Sequence, residues 1–133
     1  MGRWYTRPVL FVTDVDASLE FYRRMGFVEA WKFAQEGSPA APPTGRAEGA
    51  SIVAQTSLND CEIVFSRQRP DRVGKGMLFI ELVADDWKAL PAALEAGGVP
   101  FREGWWGYRS LIVTDPDGNE LYFPDPSDPG VAL

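Results

Sequence analysis

Val9-Leu10-Phe11-Val12-Thr13-Asp14, followed by residues 16–26 and closing on Gly26, is written a second time as Leu78-Phe79-Ile80-Glu81-Leu82-Val83-Ala84-Asp85, followed by residues 86–98 and closing on Gly98. Each copy is an apolar run with the composition of a strand, ended by an acidic turn, and leads into a helical pattern that glycine stops. Roughly three further strand-like runs follow each copy. An internal repeat of this kind states the architecture before any single residue does, because two half-domains of the same build must bury their faces against one another. The seam between them is a natural place for a pocket.

Working outward from the first copy, residues 5–13 read as a strand, Asp14 or Asp16 supplies the helix N-cap, and Leu19, Phe21, Tyr22 and Met25 give helical spacing. Residues 27–33 set Phe27, Glu29, Trp31 and Phe33 against Val28, Ala30 and Lys32, a strand with two different faces. Residues 35–49, rich in Gly, Pro, Ser and Ala, form a long loop and a candidate lid. Residues 51–56 and 61–66 are strands joined through Ser57-Leu58-Asn59-Asp60, a hairpin.

The polar, basic stretch 67–76 links the two copies. The second copy then predicts a strand at 77–84, a helix at 85–97, strands at 99–102, 108–114 and 119–123, and an aromatic loop at 104–107. Pro91 is expected to kink the helix or set its first turn apart. The tail carries Pro124, Pro126 and Pro129 and reads as extended. The fold class is therefore α+β, one domain over 1–133, with βαβββ modules at 4–66 and 77–124, a linker at 67–76 and a tail at 125–133.

Composition narrows the function. With 133 residues, 45% of them hydrophobic and 24% charged, the chain has enough material for a core and the charge of an ordinary soluble protein. No run approaches the roughly 18 apolar residues of a spanning helix, and Met1-Gly2-Arg3-Trp4-Tyr5 lacks the apolar region of a secretory signal, so the chain reads as cytoplasmic. A net charge of −6 disfavours nucleic acid and favours cationic or neutral ligands. Cys61 stands alone, which excludes an intrachain disulfide, and Asp60 and Glu62 beside it argue against a reactive thiolate. Without histidine there is no Ser-His-Asp triad, and no phosphate-binding Gly-rich loop occurs.

The doubled βαβββ order, Asp14-Val15-Asp16-Ala17-Ser18-Leu19-Glu20-Phe21-Tyr22 after the first strand and Asp115-Pro116-Asp117-Gly118-Asn119 before the last resemble the vicinal oxygen chelate superfamily. Glyoxalase I, extradiol dioxygenases, fosfomycin-resistance enzymes and bleomycin-resistance proteins belong to it. The resemblance covers nearly the whole chain and implies that the two modules curl into a U-shaped, mostly antiparallel sheet whose concave inside holds the site. Enzymes of the superfamily hold a divalent metal on His and Glu side chains from both modules. The matching stations here are Arg7, Glu62, Leu78 or Phe79, and Tyr122, with Glu120 two residues before the last. Of the four stations only Glu62 can ligate as it stands, since Arg has no lone pair to give. No metal and no cofactor are expected.

The nearer resemblance is to the bleomycin-resistance proteins, metal-free binders that sequester a drug in a groove between subunits. The segment Pro100-Phe101-Arg102-Glu103-Gly104-Trp105-Trp106-Gly107-Tyr108-Arg109 resembles their aromatic segment before the last hairpin. Five tryptophans are many for this length. Trp4 and Trp87 are expected in the core, and Arg109 is expected to pair with Glu103. Trp31 lies on a face that is either ligand-lined or packed under the helix. For Trp105 and Trp106, in a Gly-flanked loop, binding is the favoured role.

Glu62 and Glu120 alternate with Ile63, Phe65, Leu121 and Phe123, which places the glutamates toward the cavity. The expected function is metal-independent binding of a small aromatic molecule, cationic or neutral, such as an antibiotic or other natural product, by a homodimer. Its site residues would be Arg7, Trp31, Phe33, Glu62, Trp105, Trp106, Tyr108, Glu120 and Tyr122. A metal-dependent lyase, isomerase or dioxygenase-like enzyme with an atypical site is the alternative, and a regulatory module with a filled cavity is a third reading.

Overall fold

The computed structural model describes residues 2–34 and 51–130. The expected lid at 35–49 lies outside the described residues. In the first module β1 (Val9–Phe11), α1 (Val15–Arg23), β2 (Val28–Ala34), β3 (Ser51–Leu58) and β4 (Cys61–Ser66) follow in order. The second repeats the order with β5 (Met77–Phe79), α2 (Ala84–Ala96), β6 (Arg102–Trp105), β7 (Arg109–Thr114) and β8 (Glu120–Pro124). Each module builds a four-stranded sheet, β1-β4-β3-β2 and β5-β8-β7-β6, in which only the first strand pairs in parallel.

One face of each sheet is apolar and buried. Leu10, Ala54, Ile63 and Phe65 in the first sheet and Leu111, Val113, Leu121 and Phe123 in the second join Val12, Leu19, Tyr22 and Leu94 in a single core under the helices. Burying each large side chain contributes about 1.5–3 kcal/mol relative to leaving it in water. The opposite faces carry Val9, Gln55, Glu62 and Val64 in one module and Met77, Ile112, Glu120 and Tyr122 in the other.

Asp14, not Asp16, caps α1, accepting a hydrogen bond from Ala17 N at 3.1 Å. The Asp115-Pro116-Asp117-Gly118-Asn119 turn fastens the modules together. Tyr22 Oη of α1 donates to Asp115 Oδ2 at 3.0 Å, and Asp115 also accepts from Asn119 Nδ2 and from the Asp117 and Asn119 N–H groups. Thr13 donates through both its N–H and its hydroxyl to Asp117, and Gly76 N donates to Asn119 Oδ1 at 2.7 Å. Gly74, at φ +76°, lets the linker pass so close to the Asp117 carbonyl that a Cβ would overlap it. Burial pushes the Tyr22 hydroxyl far up, and the Asp115 charge adds to it, so the phenol stays a neutral donor.

Several sequence expectations change. The first strand is three residues long rather than nine, because Pro8 has no N–H to give and the residues before it find no partner strand. Trp4 is consequently 98% exposed and outside the core. A register shift between Glu29 and Trp31 breaks the even alternation of β2, so Glu29 and Trp31 do not share a face. Glu29 pairs with Thr56 on the helix side, where Lys32 reaches both Asp16 and Glu29, and Trp31 pairs with Gln55 on the other. The α2 helix runs through Pro91 without a separate first turn.

The last strands shift as well. β6 begins at Arg102 and takes in Gly104 and Trp105, leaving Trp106-Gly107-Tyr108 as the turn. Trp87 behaves as expected, half-buried and donating from Nε1 to Phe123 O at 2.9 Å.

The tail docks instead of extending. Asp125 N donates to Arg109 O, and Arg109 N donates to Asp128 Oδ2 at 2.8 Å. The Ser127 hydroxyl and N–H hold the Asp125 carboxyl below its usual range, and the Arg109 and Gly130 N–H groups do the same for Asp128. Because both folded values are depressed, docking is complete above the ordinary aspartate range and is lost as pH falls through the depressed folded values. Acid titration followed by the amide signal of Arg109 is expected to show the tail releasing below the ordinary aspartate pKa while the core amides stay protected. Simultaneous loss of both would disprove it.

Candidate ligand-binding site

The faces turned away from the helices hold most of the residues selected from sequence. In the first module Arg7 donates to Gln55 Oε1 at 2.7 Å and Trp31 Nε1 donates to the same oxygen at 3.1 Å. Trp31 and Phe33 lie with ring centroids 5.7 Å apart. Gln55, buried and donating onward to Ser57 Oγ, is the organiser of this patch. Sequence reasoning passed it over, since a glutamine in a strand carries no distinctive signal.

In the second module an aromatic cluster forms. Phe79 stands 5.5 Å from Trp106 and 5.8 Å from Tyr108, and Trp106 stands 6.5 Å from Tyr122, all in tilted contacts. Local structure explains the grouping. Gly107 takes φ +73°, a left-handed turn conformation that brings Trp106 N to Tyr108 O at 3.0 Å and carries both side chains toward β5 and β8. Of the two offered stations, Phe79 is the one on this face, because Leu78 pairs with Leu121 on the helix side. Phe79 is 37% and Trp106 55% exposed, so both rings are open to a partner.

The charges are arranged unequally. Glu120 is held by Arg102 at 2.9 Å and accepts a long hydrogen bond from Tyr122 Oη. The Glu62 side chain has no hydrogen bond or ion pair among the described residues, and it shares a recess of about 220 Å³ with Phe79, Thr6 and Pro8. That recess joins the two modules at the edge where the aromatic cluster begins.

Trp105 does not belong to this face. It pairs with Arg109, which lies over the Trp87 ring at 5.7 Å and reaches Glu103 at 3.5 Å and Asp125 at 3.7 Å, all on the helix side. The reason is the strand period: once β6 includes Trp105, neighbouring Trp105 and Trp106 must point apart. The Cys61 thiol is pushed up, first by burial and then by Asp60, and stays protonated at neutral pH.

The superfamily's metal chemistry needs several donors converging at about 2 Å. Among the described residues no three acidic or thiol side chains converge. Glu120 is neutralised by Arg102, and Arg7 brings a cation to the first station. The donor set present does not fit a divalent ion.

Two sheets of repeated βαβββ build, helices on one side and an open aromatic face on the other, define a paired-module fold. The sequence profile of the Glyoxalase/Bleomycin resistance protein/Dioxygenase superfamily matches residues 4–123, and the chain belongs to that family. Among solved structures it is similar to TnmS3, an antibiotic binding protein from Streptomyces sp. CB03234, with 22% identity, a TM-score of 0.67 and coverage of 96% of this chain and 99% of that one. A bleomycin-binding protein complexed with bleomycin matches at 17% identity and TM-score 0.65, over 94% of this chain and 100% of its own. The fosfomycin resistance protein FosX from Mesorhizobium loti matches at 11% identity and TM-score 0.60, over 96% and 94%. At these identities the likeness establishes the fold. No curated protein matches the chain in sequence.

Proposed function

We propose that this protein binds a small, flat aromatic molecule carrying positive charge, without a metal, and that antibiotic or natural-product sequestration is its use. The observation that carries the reading is the cluster of Phe79, Trp106, Tyr108 and Tyr122, two of whose rings are open to solvent. Soluble proteins rarely leave grouped aromatic rings exposed without a partner for them. Indole and phenol faces stack on flat ligands and attract cations, and the uncommitted Glu62 carboxylate beside Phe79 favours the same charge. Of the proteins of similar fold, TnmS3 is an antibiotic binding protein and another holds bleomycin.

A second copy of the chain would close the groove. The exposed Trp4, Tyr5, Val9 and Met77 offer apolar surface for it, and light scattering at micromolar concentration would report the mass. No described helix is long and apolar enough to cross a membrane.

The test is a tryptophan fluorescence titration with proflavine, a planar aromatic cation, and with bleomycin, each with and without a chelator. Saturable quenching that the chelator leaves unchanged is the expected result. Dependence on added divalent metal would restore the lyase, isomerase or dioxygenase reading, and absence of quenching by either probe would remove the binding reading.

A further inference from the structure

A further cavity opens on the helix side and adjoins the Glu62 recess, with which it shares Asp60, Cys61, Ile80 and Glu81. About 540 Å³ of space separates α2 from the end of the first module, within the range of small-molecule pockets. Its walls are Met25, Phe27, Leu58, Ile80, Leu82, Leu90 and Phe123. On α2 the lining residues Asp86, Ala89, Leu90 and Ala93 follow helical spacing and form one stripe. The alanines are why the space exists: two small side chains stand where a globular helix would bury large ones, and Leu94 is the only residue of α2 that is fully buried.

The polar groups at this cavity are of one sign. Asp60, Glu81 and Asp86 line it, no Lys or Arg does, and none of the three makes an ion pair among the described residues. Cys61 contributes a neutral thiol. An apolar chamber with an uncompensated acidic rim selects a ligand with an apolar body and a cationic head. A neutral lipid gains nothing from the rim, and an anion is repelled by it.

We propose that this inter-module cavity is a second binding site, adjoining the Glu62 recess but lined by none of the four clustered aromatic rings, for an amphiphilic organic monocation of the alkylammonium type. The hydrocarbon lies along the Ala89–Leu90–Ala93 stripe against Phe27 and Phe123, and the ammonium sits at the rim that Asp60, Glu81 and Asp86 make acidic. The proposal does not depend on what the aromatic face binds.

The three methionines make the test site-resolved, because Met25 lines this cavity and Met77 stands on the opposite face. Protein labelled with ¹³C at the methionine methyls is titrated with monomeric octyltrimethylammonium, the signals being assigned with Met25→Leu and Met77→Leu. The expected result is a saturable shift of the Met25 methyl with Met77 still. Octyl sulfate should leave both unmoved, and Glu81→Gln with Asp86→Asn should weaken binding about tenfold. Ala93→Trp, at an exposed helix position, should abolish the shift by filling the chamber, and Asp86→Lys gives the same answer should the tryptophan disturb the fold. A shift of Met77 alone, equal binding of octyl sulfate, or unchanged affinity in both Ala93→Trp and Asp86→Lys would overturn the proposal. Trp106→Ala is expected to leave the Met25 response intact, which separates failure here from failure at the aromatic face.

Discussion

Replacing Asp115 with alanine is expected to lower unfolding stability by about 3–5 kcal/mol, measured from the urea midpoint. Its carboxylate accepts from the Tyr22 hydroxyl, the Asn119 amide and two backbone N–H groups, in surroundings where Tyr22 and Asn119 are inaccessible to water. Truncation leaves those donors buried without acceptors, which costs more than the bonds were worth in net terms. A domain of this size has about 5–15 kcal/mol in total, so the loss is a large share. Asp115→Asn keeps a carbonyl acceptor and should lose less, and Tyr22→Phe should fall near 1–2 kcal/mol because it removes one bond. A loss under about 1 kcal/mol for the alanine variant would show that the turn does not hold the modules together.

The second large effect concerns binding and contrasts two adjacent residues. Trp106→Ala is expected to weaken proflavine affinity at least tenfold, about 1.4 kcal/mol, with little change in stability, since the indole is more than half exposed. Trp105→Ala should leave affinity within about twofold, because Trp105 pairs with Arg109 on the helix side and cannot reach Phe79 or Tyr122. Isothermal titration of both variants decides the matter. Equal losses would mean that the ligand does not use the aromatic cluster.

The fold was readable because it rests on repetition and period, properties that survive without any knowledge of partners. Leu10, Ile63, Phe65, Leu121 and Phe123 alternate with polar or smaller neighbours, and that alternation put Glu62 and Glu120 on the face where the structure has them. What the sequence could not show were one-residue events. The register shift in β2 moved Glu29 away from Trp31, and the tighter hairpin at Trp106-Gly107-Tyr108 turned Trp105 to the helix side. A single inserted residue exchanges the faces of everything beyond it, and no composition signal marks it.

Trp4 was misjudged for a related reason. An indole in an apolar run suggests burial, yet burial needs a partner strand that Pro8 does not help to extend. The roles of Gln55 and Tyr22 were invisible because each depends on an atom far along the chain or across a strand. The helix-side cavity was equally hidden, since two alanines in a helix read as good helix formers.

The fastening between the halves also sets an order in time. Tyr22 finds its acceptor 93 positions later, Thr13 finds Asp117 104 positions later, and the Phe11 carbonyl meets Asn119 108 positions later. During synthesis the first module therefore emerges with the Tyr22 hydroxyl and the Phe11 carbonyl lacking these partners until residues 115–119 have been added. Contacts so distant in sequence close late and slowly. The nascent first half is a sheet awaiting its clasp, and its most vulnerable period ends only when the second copy of the pattern is complete.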